Sequence, residues 1–432
     1  MTMVAGTATL FPRPVQAIWK HHMSKRTHVP FSGMPSPIRI VLICLGVAAV
    51  LCASYAIALE SARVPGLDFK VYRAGGAELL NNPSGLYAPI LGPVHDPGLP
   101  FTYPPFAAVL FSVFALMPFE VGYLLLNAVS LVIGLLVVRD LTTRAHALFP
   151  RAARWMPLWL TATVFVASGP FRDTILLGQV NIILMGAAYL TAVRFKSLLP
   201  FAVAIGLCAG VKLTPLALML VPLALGRILP ILVAAGTFLA TQLATLLVMP
   251  DLTVEFWTKA VVDPSRVGGL EYIDNLSLRG VLERVGAPQA LWLVLAVLTV
   301  GVFYVAMRTL RTRLSIASQL GLGGACAALI SPVTWSHHWV WFPLFAFALA
   351  EASTLVTLPW RRVFWAACGF AGAVLFLTPK LIVRCFGMHP DDTLPWWVYV
   401  LHALFVIAVL GCSTAVAASA FKDRRRLTAA AA

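Results

Sequence analysis

Asp68 stands in Gly66-Leu67-Asp68-Phe69-Lys70-Val71-Tyr72, directly after the first long apolar run. A carboxylate beside hydrocarbon is costly when charged, so it calls for a partner or a task. Possible partners recur at the ends of later apolar runs. Arg172, Asp173, Gln179 and Asn181 come first, then Lys212, then Asp274, Asn275, Ser277 and Arg279. His337 and His338 close the set in Ser331-Pro332-Val333-Thr334-Trp335-Ser336-His337-His338-Trp339. Lysine and arginine neutralise a departing phosphate. A carboxylate within reach of a hydroxyl can take its proton as that oxygen forms a new bond. One acid among cations and imidazoles therefore suits group transfer from a phosphate carried on a lipid.

Taken singly, each residue has a plainer use. Asp68 could be a solvated acid or an ion-pair partner, and Lys212 could reach along its own stem to water. Arg279 could form a surface salt bridge, and Arg172 and Asp173 could pair with each other. Gly178-Gln179-Val180-Asn181 could be a polar turn capping the next helix. Adjacent histidines point to different sides of a helix, which makes them a poor metal pair. No metal and no other cofactor is expected.

The elements that must position these residues are membrane helices. Of 432 residues, 60% are hydrophobic and 11% charged, and mean hydropathy is +0.87. A soluble core needs far less apolar surface, and the runs are too continuous for an outer-membrane barrel. The net charge of +15 does not point to nucleic acid. The basic residues cluster in short connections between apolar runs, as they do on the inner side of membrane proteins. The 7 cysteines include no CxxC pair, so no disulfide framework or zinc site is implied.

Apolar runs fall at 40–59, 121–138, 155–170, 180–194, 198–226, 228–249, 288–307, 316–335, 338–357, 362–379 and 396–420. Charge orients them if 198–226 is broken near Lys212-Leu213-Thr214-Pro215, since every basic cluster then lies inside. The expectation is an all-α polytopic membrane protein with about twelve spans. Segment 104–118 is short and flanked by prolines, and is expected to be a re-entrant or interfacial helix in the first outer loop. The expected organisation is a cytoplasmic tail over 1–39, a transmembrane catalytic domain over 40–420 and a cytoplasmic tail over 421–432. Outer loops at about 60–120 and 250–287 would carry the site.

Six short motifs in order carry a resemblance: Asp68-Phe69-Lys70-Val71-Tyr72; Phe101-Thr102-Tyr103-Pro104-Pro105-Phe106; Gly178-Gln179-Val180-Asn181; Gly210-Val211-Lys212-Leu213-Thr214-Pro215; Asn275-Leu276-Ser277-Leu278-Arg279-Gly280; and Ser331 to Trp341. From about 66 to about 345 the chain resembles glycosyltransferase family 87, the polyprenol-phosphate-mannose-dependent mannosyltransferases of the GT-C fold. It is similar in particular to the mycobacterial α-1,2 branch. Lys70, and Leu276 after Asn275, depart from the family pattern and bear on the acceptor.

The resemblance implies Asp68 as catalytic base, and Lys212, Arg279, His337 and His338 on the donor phosphate. Tyr72, Tyr103, Arg172, Gln179, Asn181, Asn275 and Trp335 would position substrate. The implied donor is polyprenyl-phosphate-mannose and the implied acceptor a mannolipid of the phosphatidylinositol mannoside or lipomannan type. The site would face the extracytoplasmic side of the cell membrane. Two alternatives stay open: the same fold transferring another sugar such as arabinose, and a lipid or solute transporter.

Overall fold

The computed structural model describes residues 36–61, 65–91, 98–151, 153–358, 360–390 and 393–430. Most of the basic N-terminal tail lies outside the described residues, as do His95, Asp96, Asp391 and Asp392. Every regular element among the described residues is helical, as a chain that must satisfy its backbone in lipid requires.

The first half runs α1 (Ser36–Ser61), α2 (Leu67–Asn81), α3 (Pro105–Ala115), α4 (Phe119–Leu148), α5 (Leu158–Ala167), α6 (Gly169–Leu177), α7 (Asn181–Arg194) and α8 (Leu199–Val211). The second runs α9 (Leu220–Leu225), α10 (Ile228–Val248), α11 (Pro250–Glu255), α12 (Leu278–Arg284), α13 (Gln289–Thr309), α14 (Ile316–Ile330), α15 (Phe342–Leu355), α16 (Arg361–Leu377), α17 (Pro379–Cys385) and α18 (Trp396–Ala430).

Among the described residues, 5 helices are long and apolar enough to cross a membrane: α1, α4, α10, α13 and α18. A 21-residue helix such as α10 reaches roughly 30 Å, the thickness of the hydrocarbon core. The pair α16 and α17 would add a sixth if its 72° bend is spanned as one unit. The multi-pass character expected from composition is present, but most of the other apolar runs fall short of full helical spans. The run 155–170 stops at Ser168, whose backbone is extended, and resumes as α6. The run 362–379 stops at Thr378.

Lys212 is extended, at φ −148° and ψ 128°, and closes α8. A 3-10 turn over Thr214–Met219 follows, with Pro215 in its first turn. Proline lacks the N–H that would have continued α8, so the chain breaks where Lys212 needs to leave the helix. Segment 104–118 forms the 11-residue helix α3, entered through Pro104 and Pro105. At roughly 16 Å it is too short to cross a bilayer.

Helix α14 lies at the centre and is buried along almost its whole length. Around it one apolar core joins α7, α8, α14, α15 and α18. A second, aromatic core joins α2 to α3 through Phe69, Tyr72, Phe101, Tyr103 and Phe111. The Tyr72 ring stacks on Phe111 with centroids 4.2 Å apart. Arg266 ties the 250–277 segment to the segment between α2 and α3. Its guanidinium donates to the carbonyls of Tyr87 at 3.0 Å, Ala88 at 3.3 Å and Phe101 at 3.1 Å.

Candidate active site at the helix ends

Asp68 lies in the first turn of α2, just after the left-handed Gly66. Its partner Gln179 lies between α6 and α7. Gly178 ends α6 at φ 70°, a conformation open to glycine, so the chain can turn at once and present Gln179 beside Asp68. Tyr72, one helical turn from Asp68, donates its hydroxyl to Gln179 Oε1 at 2.7 Å. Tyr103 donates to the Tyr72 hydroxyl at 3.4 Å. With Oε1 taken, Gln179 uses its amide N–H to hydrogen-bond the Asp68 carboxylate. The chain Tyr103, Tyr72, Gln179, Asp68 thus runs donor to acceptor and ends on a carboxylate.

Lys212 stands opposite. Its ammonium donates to Asn181 Oδ1 at 3.1 Å and lies 2.9 Å from His338 Nε2. Asn181 in turn donates to the His337 carbonyl at 3.1 Å, which locks the start of α7 to the Ser336–Trp341 turn. The other ring nitrogen of His338, Nδ1, faces the Trp335 N–H at 3.3 Å, so the ring is held between that N–H and the Lys212 ammonium. Lys212 also sits 6.0 Å from the centroid of the Tyr103 ring.

Asp68, Lys212 and His338 each keep part of their surface exposed, while Tyr72, Gln179, Asn181 and His337 behind them are buried. Burial pushes the Asp68 carboxyl up to about 6, opposed by the Gln179 hydrogen bond and by the charges of Lys212 and Lys380. A carboxylate with a value near neutrality is suited to accept a proton and release it again.

Behind His337 lies a second polar cluster. Ser336 donates its hydroxyl to Asp173 and, at 3.0 Å, to Asp274 Oδ2. The Lys380 ammonium lies 3.1 Å from Asp274 and 3.6 Å from Asp173. Arg172 pairs with Asp173 at 3.6 Å and donates to the carbonyls of Ala167, Phe376 and Leu377. Lys380 follows the bend at Thr378 and belongs to none of the six motifs. A lysine between Pro379 and Leu381, in apolar surroundings, is the same signal that singles out Lys212.

The other sequence candidates are placed as follows. Arg172 is buried and spends its guanidinium on carbonyls and Asp173. Asn275 donates to the carbonyls of Leu270 at 2.8 Å and Pro332 at 3.1 Å, and accepts from the Ser277 and Thr334 N–H groups. It therefore stitches two loops together rather than presenting a free polar atom. Arg279 pairs with Glu283 at 2.7 Å, and its guanidinium lies 5.7 Å from the Trp292 ring centroid. None of these partners belongs to the Lys212 cluster. Trp335 begins the histidine turn and meets Tyr272 edge-on at 5.7 Å. His337 touches His338 edge to face, with centroids 4.6 Å apart.

The fold and these helix ends define a multi-pass helical membrane protein with an acid and cations gathered at the ends of several helices. The model of glycosyltransferase family 87 matches residues 101–332, and the chain belongs to that family. A polyprenol-phosphate-mannose-dependent α-(1-2)-phosphatidylinositol mannoside mannosyltransferase of Mycolicibacterium smegmatis is 31% identical over 424 residues, covering 90% of this chain and 93% of that one. The Mycobacterium tuberculosis protein of the same description is 31% identical over 364 residues, 78% of this chain and 79% of that one. A polyprenol-phosphate-mannose-dependent α-(1-2)-phosphatidylinositol pentamannoside mannosyltransferase of M. smegmatis is 29% identical over 390 residues, 88% of this chain and 92% of that one. No solved structure matches the chain.

Proposed function

We propose that the protein transfers mannose from polyprenyl-phosphate-mannose to a mannolipid of the phosphatidylinositol mannoside or lipomannan type, forming an α-1,2 linkage. The observation that carries this is the opposition of Asp68, held by Gln179, to Lys212, held by Asn181 and His338. The named relatives supply the sugar and the lipid carrier.

The donor phosphate lies against Lys212 and His338, and the acceptor hydroxyl points at Asp68. Asp68 accepts the hydroxyl proton as the acceptor oxygen bonds to C1 of mannose. The bond from C1 to the phosphate oxygen breaks on the opposite face, and the phosphate leaves with the electron pair. Attack opposite the leaving group turns a β-linked donor into an α-linked product. Positive charge develops on the sugar as the bonds exchange, and the ionised carboxylate stabilises it.

A cavity beside His338, walled in part by Leu184, Pro215, Leu218, Gly324 and Trp341, suits the first apolar units of the carrier. The aromatic core of α2 and α3 closes the other side against water. In this account about twelve helical segments cross the cell membrane with both termini cytoplasmic, α3 lies re-entrant or interfacial, and the site opens extracytoplasmically. Purified protein incubated with polyprenyl-phosphate-mannose and a panel of mannolipids tests the proposal by product and linkage. Free mannose as the only product, or carrier movement without transfer, would sink it.

A further inference from the structure

After α10 ends at Val248 the chain turns at Pro250 and folds back along the same helix, as α11 and then a π-helical turn over Phe256–Ala260. Two contacts fix the return. The Trp257 indole N–H donates to Gln242 Oε1 at 3.1 Å, and the Trp257 ring meets Phe238 edge-on with centroids 6.2 Å apart. Between the helix and the returning segment lies a groove of about 540 Å³, measured out to its open side. Leu239, Leu243 and Leu246 line one wall, and Val254 and Trp257 the other. The remaining lining residues turn their polar atoms to neighbours. Gln242 donates to Thr241 Oγ1 at 3.0 Å, Thr253 to the Met249 carbonyl at 3.0 Å and Thr258 to the Val254 carbonyl at 2.7 Å. The groove therefore offers hydrocarbon contacts, and a polar ligand would lose its water there without gaining a replacement partner.

Its position ties it to both the bilayer and the site. Helix α10 is long and apolar enough to span a membrane, and Leu239 and Leu243 are 55% and 56% exposed. From Leu239 to Leu246 is roughly 10 Å along the helix, within one leaflet. Helices α8 and α10 run parallel here: a Cβ at Gly206 would meet Thr237, and one at Gly210 would meet Thr241. Gln242 and Leu243 thus lie level with the end of α8 that carries Lys212. The other face of the returning segment buries Leu252, Phe256 and Ala260 in the aromatic core of α2 and α3, beside Asp68. One segment is therefore a wall of the Asp68 side and a wall of the groove. The cavity beside His338 shares no lining residue with it.

In-line displacement puts the attacking oxygen and the leaving phosphate on opposite faces of the sugar. Two lipid anchors must then reach one carbon from different sides, and the carrier takes the His338 side. We propose that the groove along α10 holds one acyl chain of the acceptor mannolipid while its sugar reaches Asp68. The identity of the occupant rests on the proposed transfer; the presence of a hydrocarbon site does not.

The test uses the full-length protein in lipid nanodiscs, with a phosphatidylinositol mannoside acceptor and its deacylated, water-soluble form. Leu243→Trp fills the groove from a lipid-facing position. Leu247→Trp, on the same helix at a residue 84% exposed and outside the lining, is the control. Leu243→Trp should raise KM for the acylated acceptor about tenfold relative to the deacylated one, with kcat and the donor KM held. Leu247→Trp should change neither. A rise in donor KM instead would assign the groove to the carrier, an equal loss with both acceptors would show a distorted site, and no change would show a surface covered by bulk lipid. Each of these overturns the proposal. A photoreactive group at the end of the acceptor's acyl chain reads binding without turnover. It should label peptides 239–246 and 253–258 in wild type and less in Leu243→Trp. Labelling as strong from a photoreactive phosphatidylcholine would also overturn the proposal. If wild type binds the labelled acceptor chain here but transfers no mannose, the proposed function fails and this site stands.

Discussion

The Lys212 ammonium lies 2.9 Å from His338 Nε2, and Asn181 Oδ1 accepts from the same ammonium at 3.1 Å. Two acceptors orient the ammonium and leave its third donor for a ligand. Replacing Lys212 by Met should lower kcat/KM for the donor by about 10- to 100-fold, the worth of one charge-assisted hydrogen bond. The loss should appear mainly in KM. His338→Gln, which keeps an acceptor for Lys212, should retain more activity than His338→Ala. Steady-state kinetics with varied donor checks both.

Acid should silence the enzyme early. Asp68 must be ionised to accept a proton, and burial pushes its carboxyl from 3.8 to about 6. Transfer should therefore fall as pH drops through about 6, about tenfold per unit below it. Unfolding through this group does not explain such a loss. A carboxyl raised in the folded state binds its proton more tightly there, so this group adds stability as pH falls from about 6 towards 3.8. A pH–rate profile run beside a thermal melt at each pH separates the two.

The Tyr72 hydroxyl orients Gln179 by occupying Oε1. Gln179→Leu removes the donor that stabilises ionised Asp68, so the acid limb should move up by roughly one unit. Tyr72→Phe leaves the amide free to turn over and should give a smaller shift in the same direction. Parallel pH profiles of the two variants check the order.

Much of this site was legible because it uses residues that cost something in an apolar chain. Asp68 and Lys212 stand out against hydrocarbon, and Pro215 marks the break that frees Lys212. The split of 155–170 at Ser168 and the bend at Thr378 were not legible, because tertiary contacts impose them: Arg172 binds carbonyls about two hundred residues away. Lys380 carries the same signal as Lys212, a lysine in apolar surroundings, but its partners Asp173 and Asp274 are remote in sequence and only the folded chain shows them. Arg279 carries a local signal that weighs the other way, because Glu283 lies four residues on and pairs with it. Asn275 reads as a polar loop residue, and only the folded chain shows its amide spent on four backbone groups.

Divalent metal should be dispensable. In the proposed transfer the phosphate leaves against Lys212 and His338, so its charge is met without an added ion. Incubation with a chelator should leave the transfer rate unchanged. Loss of activity that a divalent ion restores would contradict this.

In the proposed transfer Asp68 takes the proton of the acceptor hydroxyl, and that step decides the mechanism. It is tested most directly by single-turnover transfer from labelled polyprenyl-phosphate-mannose in wild type and Asp68→Asn, with donor binding measured on the same preparations. Asp68→Asn should stay folded and bind donor as wild type does. Its transfer rate should fall at least about a hundredfold, the lower range for loss of a general base. Transfer above about a tenth of the wild-type rate would contradict it.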